Sequence, residues 1–357
     1  MPIPEQRDRE QTRKALTGWL EGKLTGAQHM VLSELGGPAS TGFSNETIIF
    51  DASWREHGRE HRGSYAIRVQ PTAHTVFLES FFVHQYRVIK TLGERTDVPV
   101  PPVHWYEDDP SVLGAPFFVM SKVEGQAAGD QPPYTAAGWI FDATPEQQER
   151  MWWDAVEVMA RIHDLDWRGL GLDFLDRPHL GERGLDQQLA YNQAYFEWAA
   201  RGEPEPIVEA ARSWLIANRM PEDEPDGLCW GDSRIGNMLF QDFEVHAVLD
   251  WEMVTIGNPL QDLGWWMFLD RFHSDGHHLP RLPGFPSREA TAARWSELTG
   301  RNTANLRWYE IYAGYQFGIV MMRLAQLMTQ FGLMPEGNDY ERDNHVTREL
   351  ARLLAAS

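Results

Sequence analysis

Within residues 5–24 the apolar positions Leu16, Trp19, Leu20 and Leu24 recur at three- and four-residue steps, the period of one helix face. The pattern then changes. HMVLSELGGPASTGFSNETIIFDASW holds two runs rich in β-branched and aromatic residues around a Gly- and Ser-rich turn, and YAIRVQP (65–71) reads as another strand closed by Pro71. Between them, REHGREHRGS is polar throughout and reads as an exposed hairpin loop. FLESFFVHQYRVIKTLGE (77–94) returns to helical spacing, and PVPPVHWYED leads into a further strand, APFFVMSKVEG (115–125).

Beyond about residue 121 the texture becomes helical. QAAGDQPPYTAAGWIFDA (126–143) is a Pro- and Gly-rich connection, followed by helical patterns in TPEQQERMWWDAVEVMARIHDL, GLDQQLAYNQAYFEWAARG and PIVEAARSWLIANRM. Two short strand pairs surround CWGDSRIGNMLFQD and AVLDWE, and a helical tail rich in Trp and Met completes the chain. Strands gathered early and helices late predict an α+β fold, a small β-rich lobe joined to a larger helical one.

Composition narrows the partners. The 357 residues include 52 acidic and 32 basic ones, a formal net charge of −20. Such a surface repels nucleic acid and anionic membrane, and it mildly favours a cationic small molecule. Cys229 is the sole cysteine, so neither an internal disulfide nor a cysteine metal cluster can form. The first twenty residues lack the apolar core of a signal peptide. IYAGYQFGIVMM (311–322) is too short to span a bilayer, so the expected location is cytoplasmic.

The chemistry gathers around residues 229–252. Asp232 and Asn237 stand five apart in turn-forming sequence, and AVLDWE is a strand that presents Asp250 at its tip. A carboxylate to accept a hydroxyl proton, with an amide oxygen and a second carboxylate for Mg²⁺, is the set of oxygen ligands that phosphoryl transfer from ATP requires. Alone the Asp-x-x-x-x-Asn spacing says little. WGD before it, MLF after it and LDWE downstream make it specific.

With those flanks, WGDSRIGNMLF…AVLDWEMVTIGNPLQDLGWW resembles the aminoglycoside phosphotransferase and choline kinase-like family, in particular the branch with kinase-like domains fused to acyl-CoA dehydrogenases. The resemblance implies a protein-kinase-like bilobal fold, with an N-lobe over 1–121, a hinge near 121–125 and a C-lobe over 122–357. It implies Asp232 as base, Asn237 and Asp250 as Mg²⁺ ligands, and Ser44 and Asn45 over the ATP phosphates. Met120, Ser121 and Val123 would meet the adenine, and Asp262 would anchor structure. Three positions depart from the pattern. Trp230 replaces the usual His, Arg68 replaces the phosphate-binding Lys, and Gln85 stands where a helix Glu would pair with it, Glu79 facing elsewhere. Arg234 would either neutralise the transferred phosphoryl group or form a surface ion pair.

The implied activity is transfer of the ATP γ-phosphoryl group to a hydroxyl of a small molecule, with an aminoglycoside-type antibiotic as the conventional acceptor. A hydroxylated metabolite or hydroxyacyl thioester is the alternative acceptor, and a nucleotide-binding pseudokinase scaffold the alternative class. Other motifs carry less. His57 and His61 lack the HExxH order and fall in the expected loop, and RFHSDGHHLP (271–280) also reads as an exposed loop. No GxSxG elbow or Walker loop is present. The aromatic and Met stripe over 308–334 reads first as helix core and second as an acceptor wall.

Overall fold

The fold comes from a computed structural model that describes residues 7–37, 45–72, 74–221 and 224–356. Asp8 caps helix α1 (Arg9–Lys23) by accepting from the Gln11 N–H, and Leu16 and Leu20, one turn apart, are buried. They pack on a five-stranded antiparallel sheet made of β1 (Gln28–Leu32), β2 (Glu46–Glu56), β3 (Arg59–Val69), β4 (Val103–Glu107) and β5 (Phe117–Ser121), in the order β1-β2-β3-β5-β4. Strand alternation divides its faces. Ile67, Val69, Phe117 and Val119 join the α1 core, whereas Ala66, Phe118 and Met120 turn to the opposite side, against helix α2 (Phe82–Arg95). Arg68 is two residues from Ala66 and pairs with Phe118, so it too belongs to that second face.

Two local expectations are corrected. The polar stretch REHGREHRGS is strand, not loop: β2 and β3 pair without a break from Glu46↔Val69 to Glu56↔Arg59. Only His57 (φ 48°) and Gly58 (φ 77°) turn. Two successive left-handed residues match the twist of a two-residue hairpin, and the far end is polar because it reaches past the core. Helix α2 starts at Phe82 rather than Phe77, because the chain before it is tied to the helical lobe, where the Tyr195 hydroxyl donates to the Val76 carbonyl at 2.7 Å.

Helix α3 (Pro110–Leu113) is one turn between β4 and β5. The larger part of the chain holds α4 (Pro145–His163), α5 (Leu185–Ala200), α6 (Pro206–Ala217), α7 (Leu260–His273), α8 (Arg288–Thr299), α9 (Leu306–Gln330) and α10 (His345–Ala355). Thr144 and Gln147 form the capping box of α4, with Pro145 in its first turn. Helices α7 and α9 lie along each other and are apolar nearly all round, as helices inside a core must be. Trp308, Tyr309, Tyr312 and Tyr315 are core residues. The RFHSDGHHLP segment is also corrected: it contains the end of α7, and His273 is buried there. Two small sheets carry the motif region. β6 (Gly227–Cys229) pairs with β9 (Thr255–Gly257), and β7 (Met238–Gln241) with β8 (Glu244–Val248). Among the described residues no helix is long and apolar enough to cross a membrane.

Candidate active site

The site is assembled from short pieces stapled together by backbone bonds. Directly after β6, Gly231 adopts φ 93°, and a side chain on it would run into the Met253 backbone. The chain then turns through Asp232 and a 3₁₀ turn (Ile235–Asn237) into β7. At the far end of β8, the Leu249 N–H donates to the Asn237 carbonyl at 2.8 Å, which holds Asp250 (φ 59°) near that turn. The Asn237 amide nitrogen donates to the Asp232 Oδ2 at 2.6 Å and to its carbonyl at 3.1 Å. That assignment turns the amide oxygen of Asn237 away from Asp232. The other Asp232 oxygen accepts from the Trp265 indole N–H at 2.8 Å. Burial raises the Asp232 pKa above the ordinary carboxylate value, and the charge of Arg234 opposes that rise.

Asp262, fully buried, anchors this loop. It accepts from the Trp230 N–H at 2.6 Å, the Gly231 N–H at 2.8 Å and His163 Nε2 at 2.9 Å. His163 in turn accepts at Nδ1 from the Trp295 indole at 2.9 Å. The unusual Trp230 is buried, and its indole N–H donates to the Leu249 carbonyl at 2.8 Å. It therefore ties the Asp232 turn to the chain that presents Asp250, a supporting contact that a smaller His would have to make differently.

Arg68 reaches from β3 to Thr47 Oγ1 at 3.1 Å and to Asp250 Oδ1 at 3.3 Å. Gln85 does not pair with Arg68: Arg68 is committed to Thr47 and Asp250, while Gln85 is buried in the α2 packing. Asn45 donates to Glu252 Oε2 at 3.0 Å, linking the strand sheet to the segment after Asp250. Ser44 lies outside the described residues. Met120 is on the Arg68 face of the sheet, and Ser121 ends β5 with its N–H bonded to the Pro102 carbonyl at 2.8 Å. Val123 follows, half-buried.

Arg234 is neither free nor a simple surface pair. Its Nη1 lies 2.8 and 2.9 Å from the two Asp130 oxygens, and its Nε lies 3.5 Å from the Asp232 Oδ1. Burial alone would lower the guanidinium pKa, but Asp130 and Asp232 hold it above the ordinary value. His273 Nε2 lies 3.5 Å from Asp130, and burial pushes its pKa down to about 4, so the ring is neutral near pH 7. Sequence reasoning missed Asp130 and Trp265, and took His273 for part of an exposed loop. For Trp265 a signal exists, because Asp262 and Trp265 are one helical turn apart and so share the face of α7 toward the loop. Asp130 has none, since nothing distinguishes one acid in a Pro- and Gly-rich connection. His57 and His61 form no metal site: among the described residues no group of three or more His, Cys, Asp and Glu is arranged to hold one.

Beside the loop a cleft, partly open to solvent, lies between α2, α5 and α9. Phe81, Arg177, Tyr191, Glu252, Met253 and Val320 contribute to its walls. The aromatic stripe of α9 is thus core at Tyr312 and cleft wall at Val320 and Gln316.

The family model described as the phosphotransferase enzyme family matches residues 38–300, a span that includes Asn45, Arg68, Asp232, Asn237 and Asp250. Acyl-CoA dehydrogenase family member 11 of Gallus gallus is 34% identical over 197 residues, 55% of this chain and 23% of that protein. Its Homo sapiens counterpart is 27% identical over 300 residues, 82% of this chain and 36% of that protein. The chain thus spans about a quarter to a third of the length of these relatives. Among solved structures, a Ralstonia eutropha protein provisionally named an aminoglycoside phosphotransferase superposes with a TM-score of 0.71 at 21% identity, over 96% of this chain and 98% of its own. Aminoglycoside phosphotransferase APH(4)-Ia, solved with AMP-PNP and hygromycin B, gives 0.54 at 16% identity over 96% and 98%. Macrolide 2'-phosphotransferase MphH from Brachybacterium faecium gives 0.54 at 15% identity over 96% and 99%. These likenesses share the fold, a small antiparallel sheet lobe on a larger helical one. By its family match, which covers most of its length, the chain belongs to the phosphotransferase enzyme family.

Proposed function

We propose that this protein transfers the γ-phosphoryl group of ATP, with Mg²⁺, to a hydroxyl of a small molecule. One observation carries the reading: Asp232 is fixed by donors on both carboxylate oxygens, while the backbone bond from Leu249 to Asn237 brings Asp250 beside it. A base for phosphoryl transfer needs position more than strength, and Asn237 and Trp265 supply position. Burial adds to its proton affinity.

The donor set suits Mg²⁺, which takes one or two protein oxygens and the rest from phosphates and water. The Asn237 amide oxygen and the Asp250 carboxylate would hold it, and it would neutralise charge on the phosphates. Arg68, now on Asp250, and Arg234, now on Asp130, are the cations within reach of transferred negative charge. Residues 1–121 would supply the nucleotide side and 122–357 the loop and the acceptor side. Asn45, Met120, Ser121 and Val123 would receive the nucleotide.

The test is an acceptor screen with phosphorus detection of product, run on wild type and Asp232→Asn. Phosphorylated product made by wild type and lost in the variant supports the proposal. Nucleotide binding without turnover on any acceptor would leave a scaffold instead. If neither ATP nor Mg²⁺ raises the melting temperature, the reading fails, since a ligand of the native state must stabilise it.

A further inference from the structure

The chain carries 52 acidic residues against 32 basic ones, but its cleft does not share that imbalance. The cleft walls hold one acid, Glu252, and one permanent cation, Arg177. Glu252 already accepts from Asn45 at 3.0 Å. The remaining walls are mainly aromatic and aliphatic, with uncharged amides on α5. A polycationic acceptor needs several carboxylates to replace its water, and here it would meet a fixed positive charge instead.

Arg177 is held in an unusual state. Its backbone N–H donates to Gln187 Oε1 at 3.1 Å, which fixes its place at the start of the turn before α5. Its guanidinium carbon lies 4.5 Å from the Tyr191 ring centre and 5.3 Å from that of Phe81. Among the described residues no Asp or Glu oxygen comes within ion-pair distance of it, and no side-chain acceptor takes its N–H groups. Burial lowers its pKa, with Tyr191 and Glu79 acting against that. Aromatic faces attract a guanidinium but accept none of its in-plane hydrogen bonds. The result is a partly desolvated five-donor fork beside an apolar cavity, and its natural complement is a carboxylate.

We propose that this cleft is the acceptor site and that its acceptor is a hydroxylated carboxylate with an apolar body, its carboxylate on Arg177. The transfer step rests on the phosphotransferase reading above, whereas the binding does not. The cleft is partly open to solvent, so an extended acceptor can reach it from outside. Its inner wall connects it to the chemistry. Glu252 and Met253 line it just after Asp250, and the Met253 backbone packs on Gly231, the residue before Asp232. An acceptor anchored at Arg177 would lay its body between Tyr191 and Val320 and offer a hydroxyl toward Asp232. In the step itself the hydroxyl oxygen bonds to the γ-phosphorus and the bond from that phosphorus to the β,γ-bridging oxygen breaks. ADP departs with that electron pair, and the hydroxyl proton passes to Asp232.

The experiment is calorimetric titration, without nucleotide, of hydroxydecanoate, its methyl ester and hygromycin B into the full chain. Wild type, Arg177→Gln and Arg177→Lys are compared, each first shown to melt cooperatively. Wild type should prefer the acid over the ester by about 10- to 100-fold, the range for a hydrogen-bonded charge. Arg177→Gln should erase that preference while retaining ester affinity, and Arg177→Lys should restore part of it. Equal affinity of wild type for acid and ester overturns the proposal, as does binding of hygromycin B alone. So does a glutamine variant that weakens acid and ester alike. The two readings fail separately. An aminoglycoside phosphorylated at the same rate by wild type and Arg177→Gln sinks the carboxylate site and leaves the phosphotransferase standing. Arg177-dependent acid binding with no ATP-dependent product does the reverse.

Discussion

Replacing Asp262 by Asn alters one charge and almost no volume, at a residue with no solvent access. Three donors converge on its carboxylate: the Trp230 and Gly231 N–H groups and His163 Nε2. An asparagine has a single acceptor oxygen, so its NH₂ must face at least one of those donors. If the amide oxygen stays with Trp230 and His163, the Gly231 N–H is stranded; if it turns to Gly231, two donors are. One stranded buried donor costs about 1–3 kcal/mol, and the surviving bonds lose their charge assistance. We expect a net loss of about 3 kcal/mol, comparable with breaking a buried charged pair. For a chain of this length that corresponds to a fall of about 4 °C in melting temperature. Urea unfolding with an unchanged m-value would measure it. Turnover should fall as well, because the released N–H groups belong to the two residues preceding Asp232. A destabilisation below about 1 kcal/mol would refute the argument that Asp262 holds the loop.

Three further outcomes follow from the same geometry. Asp232→Asn should abolish turnover, and because the folded pKa of Asp232 lies above the unfolded one, the wild type should carry a loss of stability at this group as pH rises above about 4 that the variant lacks, read in a melting series over pH. Glu205, buried at the start of α6, has its pKa pushed up to about 7 by burial. Folding of the wild type should therefore weaken as pH rises from about 4 to about 7, and Glu205→Gln should flatten that slope in a melting series. Asp130→Asn removes the fork on Arg234 and should lower kcat about 10- to 100-fold, with nucleotide affinity measured by titration unchanged.

The parts of the site visible in the sequence are those that chain neighbours build. Asp232, Asn237 and Asp250 fall within nineteen residues, and their turns and short strands fix their mutual distance, so the spacing read together with the WGD, MLF and LDWE flanks could report it. The lobe order was legible for a similar reason, since strand and helix periods differ over each stretch. Asp130 and Arg177 reach the site from separate segments, and nothing in their local sequence marks them, while Trp265 is marked only by its one-turn spacing from Asp262. Arg68 was placed correctly on its strand, but its partners depend on which side chains lie across the sheet. The polar hairpin misled because alternation reports burial, and strands that run beyond the core lose the alternation while keeping their pairing.

The contact at Gly231 bears on how such a catalyst can change its taste. There the Asp232 turn meets the Met253 backbone with no side chain between them, so nothing can repack to absorb a shift. On the proposed function, remodelling of the cleft through residues 252–254 would move the proposed base itself, and new specificity gained there would be tied to slower chemistry. The opposite wall, at Tyr191 and Val320, stands on α5 and α9 and has no such coupling. Under selection or in the laboratory, variation in substrate range should collect on those two helices, while the stretch from 252 to 254 stays closed to it.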